Sequence, residues 1–303
     1  MDIRRLQAFA RIVDIGSITR ASAILHIAQP ALSQQIAALE AHFGRELLVR
    51  SKRGVVPTEA GKVLYRHCQI ILRQMEQAEL ETATSGESLS GAVSVGLAPL
   101  SSGALVAAQI MKVIGEEYPG IVLHINENVG GGVISELVMT GKLDIALIYD
   151  PGRLPGLSFE PVQTEELYLV SITPSDGDAG EAGEVTLAEA VRHPLILPGQ
   201  IHTLRQVIDT ALARARLKAQ VRGQTESISI LAEAMAEGMG RTILPRSAAR
   251  ALQRRLPEAR FYRIRKPNMK VSMAICTSAQ LPLSEPATVV RDKLQILTSQ
   301  NQT

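Results

Sequence analysis

The stretch that most constrains this chain is residues 3–61, where helix signals, glycine stops and a basic turn follow one another in close order. Leu6, Phe9, Ala10 and Val13 recur at helical spacing, and Gly16 ends that segment. Ser17 supplies a hydroxyl N-cap for a second helix, whose inward face reads as Ala21, Ile24 and Leu25. Gln29-Pro30 opens a third helix, with Pro30 at the first helical position, where a missing N–H costs nothing. That helix carries Ala31, Ile36, Leu39 and Phe43 and stops at Gly44. Leu47–Arg50, the tip Ser51-Lys52-Arg53-Gly54 and Val55–Pro57 then read as a short hairpin.

Thr58 caps a long helix in which Ala60, Leu64, His67, Ile71, Met75 and Ala78 recur at steps of three or four. With no globular segment close by in sequence to cover this stripe, it is expected to pack against a second copy of itself. Two helices joined by a short turn, the second opening polar at Ser33, Gln34 and Gln35, have the spacing of a helix-turn-helix, here about Ile18 to Ala37. The hairpin is then its wing. Charge agrees locally: the first 60 residues hold eight Lys/Arg against five acids, although the whole chain is only +2. A basic cluster at Arg50, Lys52 and Arg53 is the footprint expected of a phosphate-binding surface.

From Ala92 the pattern changes to apolar strands alternating with amphipathic helices, which predicts an α/β domain with a largely parallel sheet. Strands are expected at 93–97, 122–126, 145–149, 167–172, 221–224, 242–244 and 271–276. Helices are expected near 103–117, 133–141, 203–215, 227–237, 246–254 and 285–298. The domain boundaries read as 1–58 for the winged unit, 59–91 for the long helix and a polar hinge at Ser85–Gly91, and 92–303 for the α/β part. Within the α/β part, one lobe takes about 92–165 and 268–303, the other about 166–267. Pro174–Glu184 reads as a surface loop.

Several function classes are disfavoured. Cys68 and Cys276 belong to no Cys/His array, the histidines lack metal-ligand spacing, and no Ser–His–Asp, P-loop or GxGxxG arrangement occurs. No catalytic residue, metal or cofactor is therefore expected, and Cys68 reads as a buried thiol rather than a redox sensor. His26, His67, His124, His193 and His202 are assigned surface or capping roles. The opening MDIRRLQAF lacks a signal-peptide pattern, and no apolar run reaches the roughly 18 residues needed to span a bilayer. A cytoplasmic protein without a membrane partner is the expectation.

Ser17-Ile18-Thr19-Arg20-Ala21, Leu25, Gln29-Pro30-Ala31-Leu32-Ser33-Gln34-Gln35-Ile36, Leu39-Glu40, Gly44, Leu47–Arg50, Arg53 and Pro57–Gly61 together resemble the LysR-type transcriptional regulators. Ser22 and Val49 depart from the pattern, where the family usually has Ala and Phe. Gly141–Ile148 and Gly238–Pro245 are similar to later motifs of that family. Within it, HIAQPALSQQ, RGVVPTEAGK, ILRQMEQA, VSVGLAP and TESISILAEAMAEGMGRTILP are most similar to regulators of nitrogen assimilation. The resemblance implies a sequence-specific regulator, activator or repressor, binding an imperfect inverted repeat as a homodimer or homotetramer. It also implies a periplasmic-binding-protein-like α/β domain, and partners including double-stranded DNA, a small-molecule effector and RNA polymerase. In the nitrogen-control subgroup the effector site can be without an effector.

On this reading Gln29, Ser33 and Gln34 reach base edges in the major groove, beside Pro30, and Ala31 meets a thymine methyl. Arg50 and Arg53 approach the backbone or minor groove from the wing, and Thr58 presents a helix N-terminus to phosphate. Effectors of open α/β folds bind beyond strand C-termini, which singles out Pro99, Ser101, Ser102, Gly130, Gly131, Pro198, Glu226 and Ser227. Ser101 and Ser102 can equally do no more than cap a helix. The rival function is a small-solute-binding module or an α/β enzyme, with residues 92–303 as the working part.

Overall fold

The computed structural model describes residues 2–51, 54–83, 89–127, 131–173 and 183–300. The chain divides into two compact units, the N-terminal one ending near residue 86. Arg53 and Lys52 of the expected wing tip, Gly130, most of the polar hinge and residues 174–182 lie outside the described residues.

The N-terminal unit runs α1 (Ile3–Ile15), α2 (Ile18–Leu25), α3 (Gln29–Phe43), β1 (Leu48–Ser51), β2 (Gly54–Pro57) and α4 (Glu59–Ala83). Asp2 accepts the Arg4 N–H at the start of α1, and Ser17 accepts the Arg20 N–H at the start of α2. Gly16, at φ +68°, makes the left-handed exit from α1. Leu6, Phe9, Ile12, Ala21, Leu32, Ile36, Leu39, Leu47, Leu64 and Cys68 form one buried core. Each large apolar side chain so covered contributes about 1.5–3 kcal/mol against exposure.

Three details depart from the sequence reading. Ile24 is 57% exposed, because the inward stripe of α2 is centred on Ile18 and Ala21. Phe43 on α3 likewise faces outward, and Leu32 takes an inward position there. The stripe on α4 is divided: Ala60, Leu64 and Ile71 pack within this unit's own core, whereas His67 and Val63 are exposed.

The second unit contains β3 (Ser90–Leu97), α5 (Gly103–Glu117), β4 (Gly120–Asn126), α6 (Gly131–Met139), β5 (Ile145–Tyr149) and β6 (Leu157–Ser171). There follow β7 (Glu184–Thr186), α7 (Leu187–Ala190), β8 (Leu195–Leu197), α8 (Thr203–Ala215), β9 (Val221–Gln224) and α9 (Ile228–Ala236). The chain ends with β10 (Thr242–Pro245), α10 (Arg246–Arg255), β11 (Arg260–Arg265), β12 (Lys270–Ser278) and α11 (Glu285–Gln300). The sheet order is β4-β3-β5-β12-β6-β11-β7, with β10 also on β6 and a separate parallel pair β8-β9.

The sheet is mixed rather than largely parallel: β3 pairs in parallel with β4 and β5, but β12 runs antiparallel to β5 and β6. The long strand β6 gives its first half to β12 and its second half to β10 and β11, so one strand serves both lobes. Asp144 fixes the start of β5, its carboxylate accepting the Ser94 N–H at 2.7 Å. Gly240 fixes the second lobe: a Cβ there would stand 2.5 Å from the Pro194 oxygen, which instead accepts the Arg241 N–H at 2.9 Å.

Candidate nucleic-acid interface and effector cleft

Helix α3 separates its two faces sharply. Leu32, Ile36 and Leu39 are buried, while Gln29, Pro30, Ala31 and Gln34 are exposed and Ser33 is half-exposed. The N-cap, Ala28, makes no side-chain cap, so the first N–H groups and the Gln29 and Ser33 side chains share the same open end. Gln29 Nε2 donates to Ser33 Oγ at 3.3 Å, which pre-orients both. Five of the expected DNA-contacting residues therefore lie on one solvent-facing end of one helix.

The wing is tied to this helix by a residue to which the sequence reading gave no role. Glu40 Oε1 accepts the N–H of Leu47 at 2.9 Å and of Leu48 at 3.3 Å, holding β1 against α3. On the other side the Val55 N–H donates to the Gly16 oxygen at 2.9 Å. A Cβ on Gly54 would meet that same oxygen at 2.6 Å. Arg50 lies on β1 opposite Val55 and is exposed. Thr58 is less free than expected. Its hydroxyl donates to the Glu46 oxygen at 2.8 Å and accepts the Gly61 N–H at 3.0 Å, so only the helix end beside it is left to meet phosphate. Tyr65 on α4 donates to the Asp14 carboxylate on α1, and Cys68 is fully buried. Desolvation pushes the Cys68 thiol up to about 12, so it is no thiolate at neutral pH.

In the second unit the expected cleft residues divide. Ser101 Oγ donates to the Ala98 oxygen and accepts the Gly103 N–H, which is the capping alternative. Ser102 is buried with its Oγ unpartnered. Gly131 is the first residue of α6. Pro198 is buried and its oxygen accepts Arg205 Nη1 at 3.1 Å. Glu226 Oε1 accepts the Gly199 N–H at 3.0 Å, and Ser227 caps α9 through the Ile230 N–H.

One side chain that reaches from one lobe to the other is His202, 3% exposed. Its Nδ1 accepts the Leu204 N–H at 3.2 Å and so caps α8, and the ring lies beside the Pro99 backbone. The tautomer follows: Nδ1 accepts, so in the neutral ring Nε2 carries the proton. The ring stands edge-on to Tyr149 on β5, 5.8 Å between centroids, and the Tyr149 hydroxyl donates to the Leu100 oxygen at 2.5 Å. Burial pulls His202 below its ordinary value, opposed by the Glu226 carboxylate. Of the surface or capping role assigned from the sequence, His202 takes the capping one and is buried rather than at the surface; its contact with Tyr149 was not legible, because the two are distant in the chain. Among the described residues no group of acidic, His or Cys side chains has the arrangement of a metal site. No helix of the described residues is long and apolar enough to cross a membrane.

A polar-faced recognition helix, a wing braced against it and a two-lobed α/β domain together define a class: one-chain regulators that couple a DNA-reading unit to a ligand-binding fold. The chain belongs to the LysR family and is a LysR-type transcriptional regulator. Residues 3–62 match the bacterial regulatory helix-turn-helix proteins of the lysR family, and residues 86–296 match the LysR substrate binding domain. It is 40% identical over 299 residues to the nitrogen assimilation regulatory protein nac of Escherichia coli (strain K12), covering 99% of this chain and 96% of that protein. The same identity and coverage hold for the protein of that name from Klebsiella aerogenes. Among solved structures, a full-length OxyR variant from Pseudomonas aeruginosa matches with a TM-score of 0.75 at 22% identity, covering all of this chain and 98% of that one. Full-length CbnR complexed with its target DNA matches at 0.66 and 19%, covering both chains fully.

Proposed function

We propose that the chain reads operator DNA with the exposed end of α3, where Gln29, Pro30, Ala31, Ser33 and Gln34 sit together over a buried Leu32–Ile36–Leu39 face. That segregation of faces is the observation that carries the reading. Gln34 and Gln29 supply bidentate amides suited to adenine, Ala31 a methyl suited to thymine, and Ser33 a hydroxyl for base or phosphate. Arg50, with Arg53, meets the DNA backbone or minor groove from the wing, and the N-terminus of α4 beside Thr58 meets a phosphate. Homodimers or homotetramers assembled through α4 present these surfaces in pairs to an imperfect inverted repeat, and contact with RNA polymerase sets activation or repression.

The 40% identity to two nitrogen assimilation regulators, over nearly the whole of both partners, supports the same physiological field here. The rival enzyme reading gains no support from His202, Glu226 and Arg205, each of which serves the fold through the hydrogen bonds described above. The test is electrophoretic mobility shift on the DNA upstream of the chain's own gene and of its divergent neighbour, against excess random DNA, followed by genome-wide mapping of bound sites. A shift that survives competitor and bound sites enriched at genes of nitrogen uptake bear the proposal out. Binding that any DNA competes away equally refutes it.

A further inference from the structure

A groove of about 940 Å³ runs along β6 and α10 and reaches the N-terminal end of α5. Of the cleft residues read from the sequence, only Ser101 and Ser102 border it. Its volume is in the range of a metabolite site. Its wall is cationic by construction. Arg246, Arg250 and Arg254 lie at i, i+4 and i+8 of α10, one above another at about 6 Å per step, and all three are exposed, as is Lys270. None of these four takes part in an ion pair among the described residues.

The two acids that border the groove are already engaged. Glu165 is 6% exposed and accepts from the N–H and hydroxyl of Ser247 at 2.8 and 2.9 Å. Glu166 accepts from Arg263 at 2.5 Å and from Asn268 at 3.2 Å. Arg246 acts on the Glu165 carboxylate and Lys270 on that of Glu166 across space, but none of the four cations is within ion-pair distance of an acid among the described residues. Two further polar atoms on the lining point to a ligand independently. Ser102 is 4% exposed and its Oγ has no partner; Gln163 is half-buried, and its Oε1 atom is covered and also unpartnered. An unpaired buried acceptor costs about 1–3 kcal/mol, so a group that donates to it is favoured there. Arginine forks bind carboxylate and phosphate oxygens in pairs.

We propose that this groove binds a small organic polyanion carrying at least two acidic groups and a hydroxyl, its acidic groups on Arg250 and Arg254 and its hydroxyl on Gln163 and Ser102. The reading does not depend on which DNA the chain binds. Calorimetric titration of the full chain at fixed ionic strength tests it with three probes. Citrate carries the hydroxyl, tricarballylate has the same three carboxylates without it, and 3-phosphoglycerate replaces carboxylate with phosphate.

One citrate or one phosphoglycerate per chain is expected, the tighter of the two fixing the acid type, with tricarballylate at least tenfold weaker than citrate. Arg250→Ala combined with Arg254→Ala should weaken binding at least tenfold while leaving the thermal melting of the chain in place, since both side chains are exposed. Ser102→Ala should erase the preference for citrate over tricarballylate. No saturable binding of any probe by the wild-type chain overturns the proposal. So does binding that the double variant leaves unchanged, and equal affinity for citrate and tricarballylate overturns the hydroxyl's place in it.

Discussion

At Gly61 a single added methyl group would stand 2.0 Å from the Leu47 carbonyl oxygen and 3.2 Å from Pro57 Cβ. The same carbonyl accepts the Thr58 N–H at 3.0 Å, so it cannot swing away without releasing the wing from the start of α4. Gly61→Ala should therefore destabilise the chain by about 1–3 kcal/mol, as measured by urea unfolding. A change within about 0.5 kcal/mol, the usual size at an uncrowded surface site, would mean the hairpin and α4 separate easily. Gln34 presents the opposite case, an exposed side chain with no structural duty. Gln34→Ala should leave the unfolding curve unmoved yet lower specific DNA affinity by about 1–3 kcal/mol, relaxing preference at one base pair. Equal weakening on specific and random DNA would remove it from base recognition.

Among elements, α8 connects the lobes through its N-cap, and that connection titrates. His202 must be neutral for Nδ1 to accept from Leu204. Burial lowers its proton affinity from the ordinary 6.5, so the unfolded chain binds the proton more readily than the folded one. The stability it contributes is present above about 6.5 and is lost as pH falls from there toward the lowered folded value. Glu165 also titrates in acid, with burial raising it, so the wild-type curve alone mixes two groups. The difference between wild type and His202→Gln isolates the histidine: that difference in urea midpoint should shrink between pH 7.5 and pH 5.5. A constant difference would mean that His202 stays neutral throughout.

The elements also show what sequence could reveal. Residues 3–61 were readable because caps, glycine stops and the hairpin are local signals, and each reappears as a hydrogen bond between near neighbours. The first half of β6 was not readable. Pro161 and the acids Glu160, Glu165 and Glu166 argue against a strand there, yet Pro161 pairs with Ala274 where the register shifts by a bulge, a place where a missing N–H is tolerated. Strand β11 did carry its signal, with Tyr262 and Ile264 buried at period two between arginines. Its three charges hid that alternation. The mixed sheet lay beyond sequence altogether, since strand order is decided by pairings such as Ser158 with Thr277, more than a hundred residues apart. On α3 the solvent-facing end was legible as polar, but the brace from Glu40 to the wing needed the fold.

At the scale of the whole molecule, the question is how a chain of net charge +2 finds one site among many. A long-range field cannot do it, because exposed charges are largely screened beyond about 8–10 Å at physiological salt. On the proposed reading, selectivity comes from the base contacts of α3, multiplied when a second copy is held in fixed relation to the first. On the N-terminal unit, α4 leaves Val63 46% exposed, so part of its apolar surface is not used by its own core. Two chains joined along α4 by a two-fold axis would present two α3 helices to the same side of the duplex, about one helical turn or a multiple of it apart. Phasing is then the property to test. Inserting about 5 base pairs between the operator half-sites turns one of them to the far side of the duplex and should cut affinity at least tenfold in a mobility-shift titration. Inserting about 10 base pairs restores the side and should recover part of that loss. Equal affinity for all three spacings would mean that each chain reads its half-site alone, and that the pairing along α4 does not govern recognition.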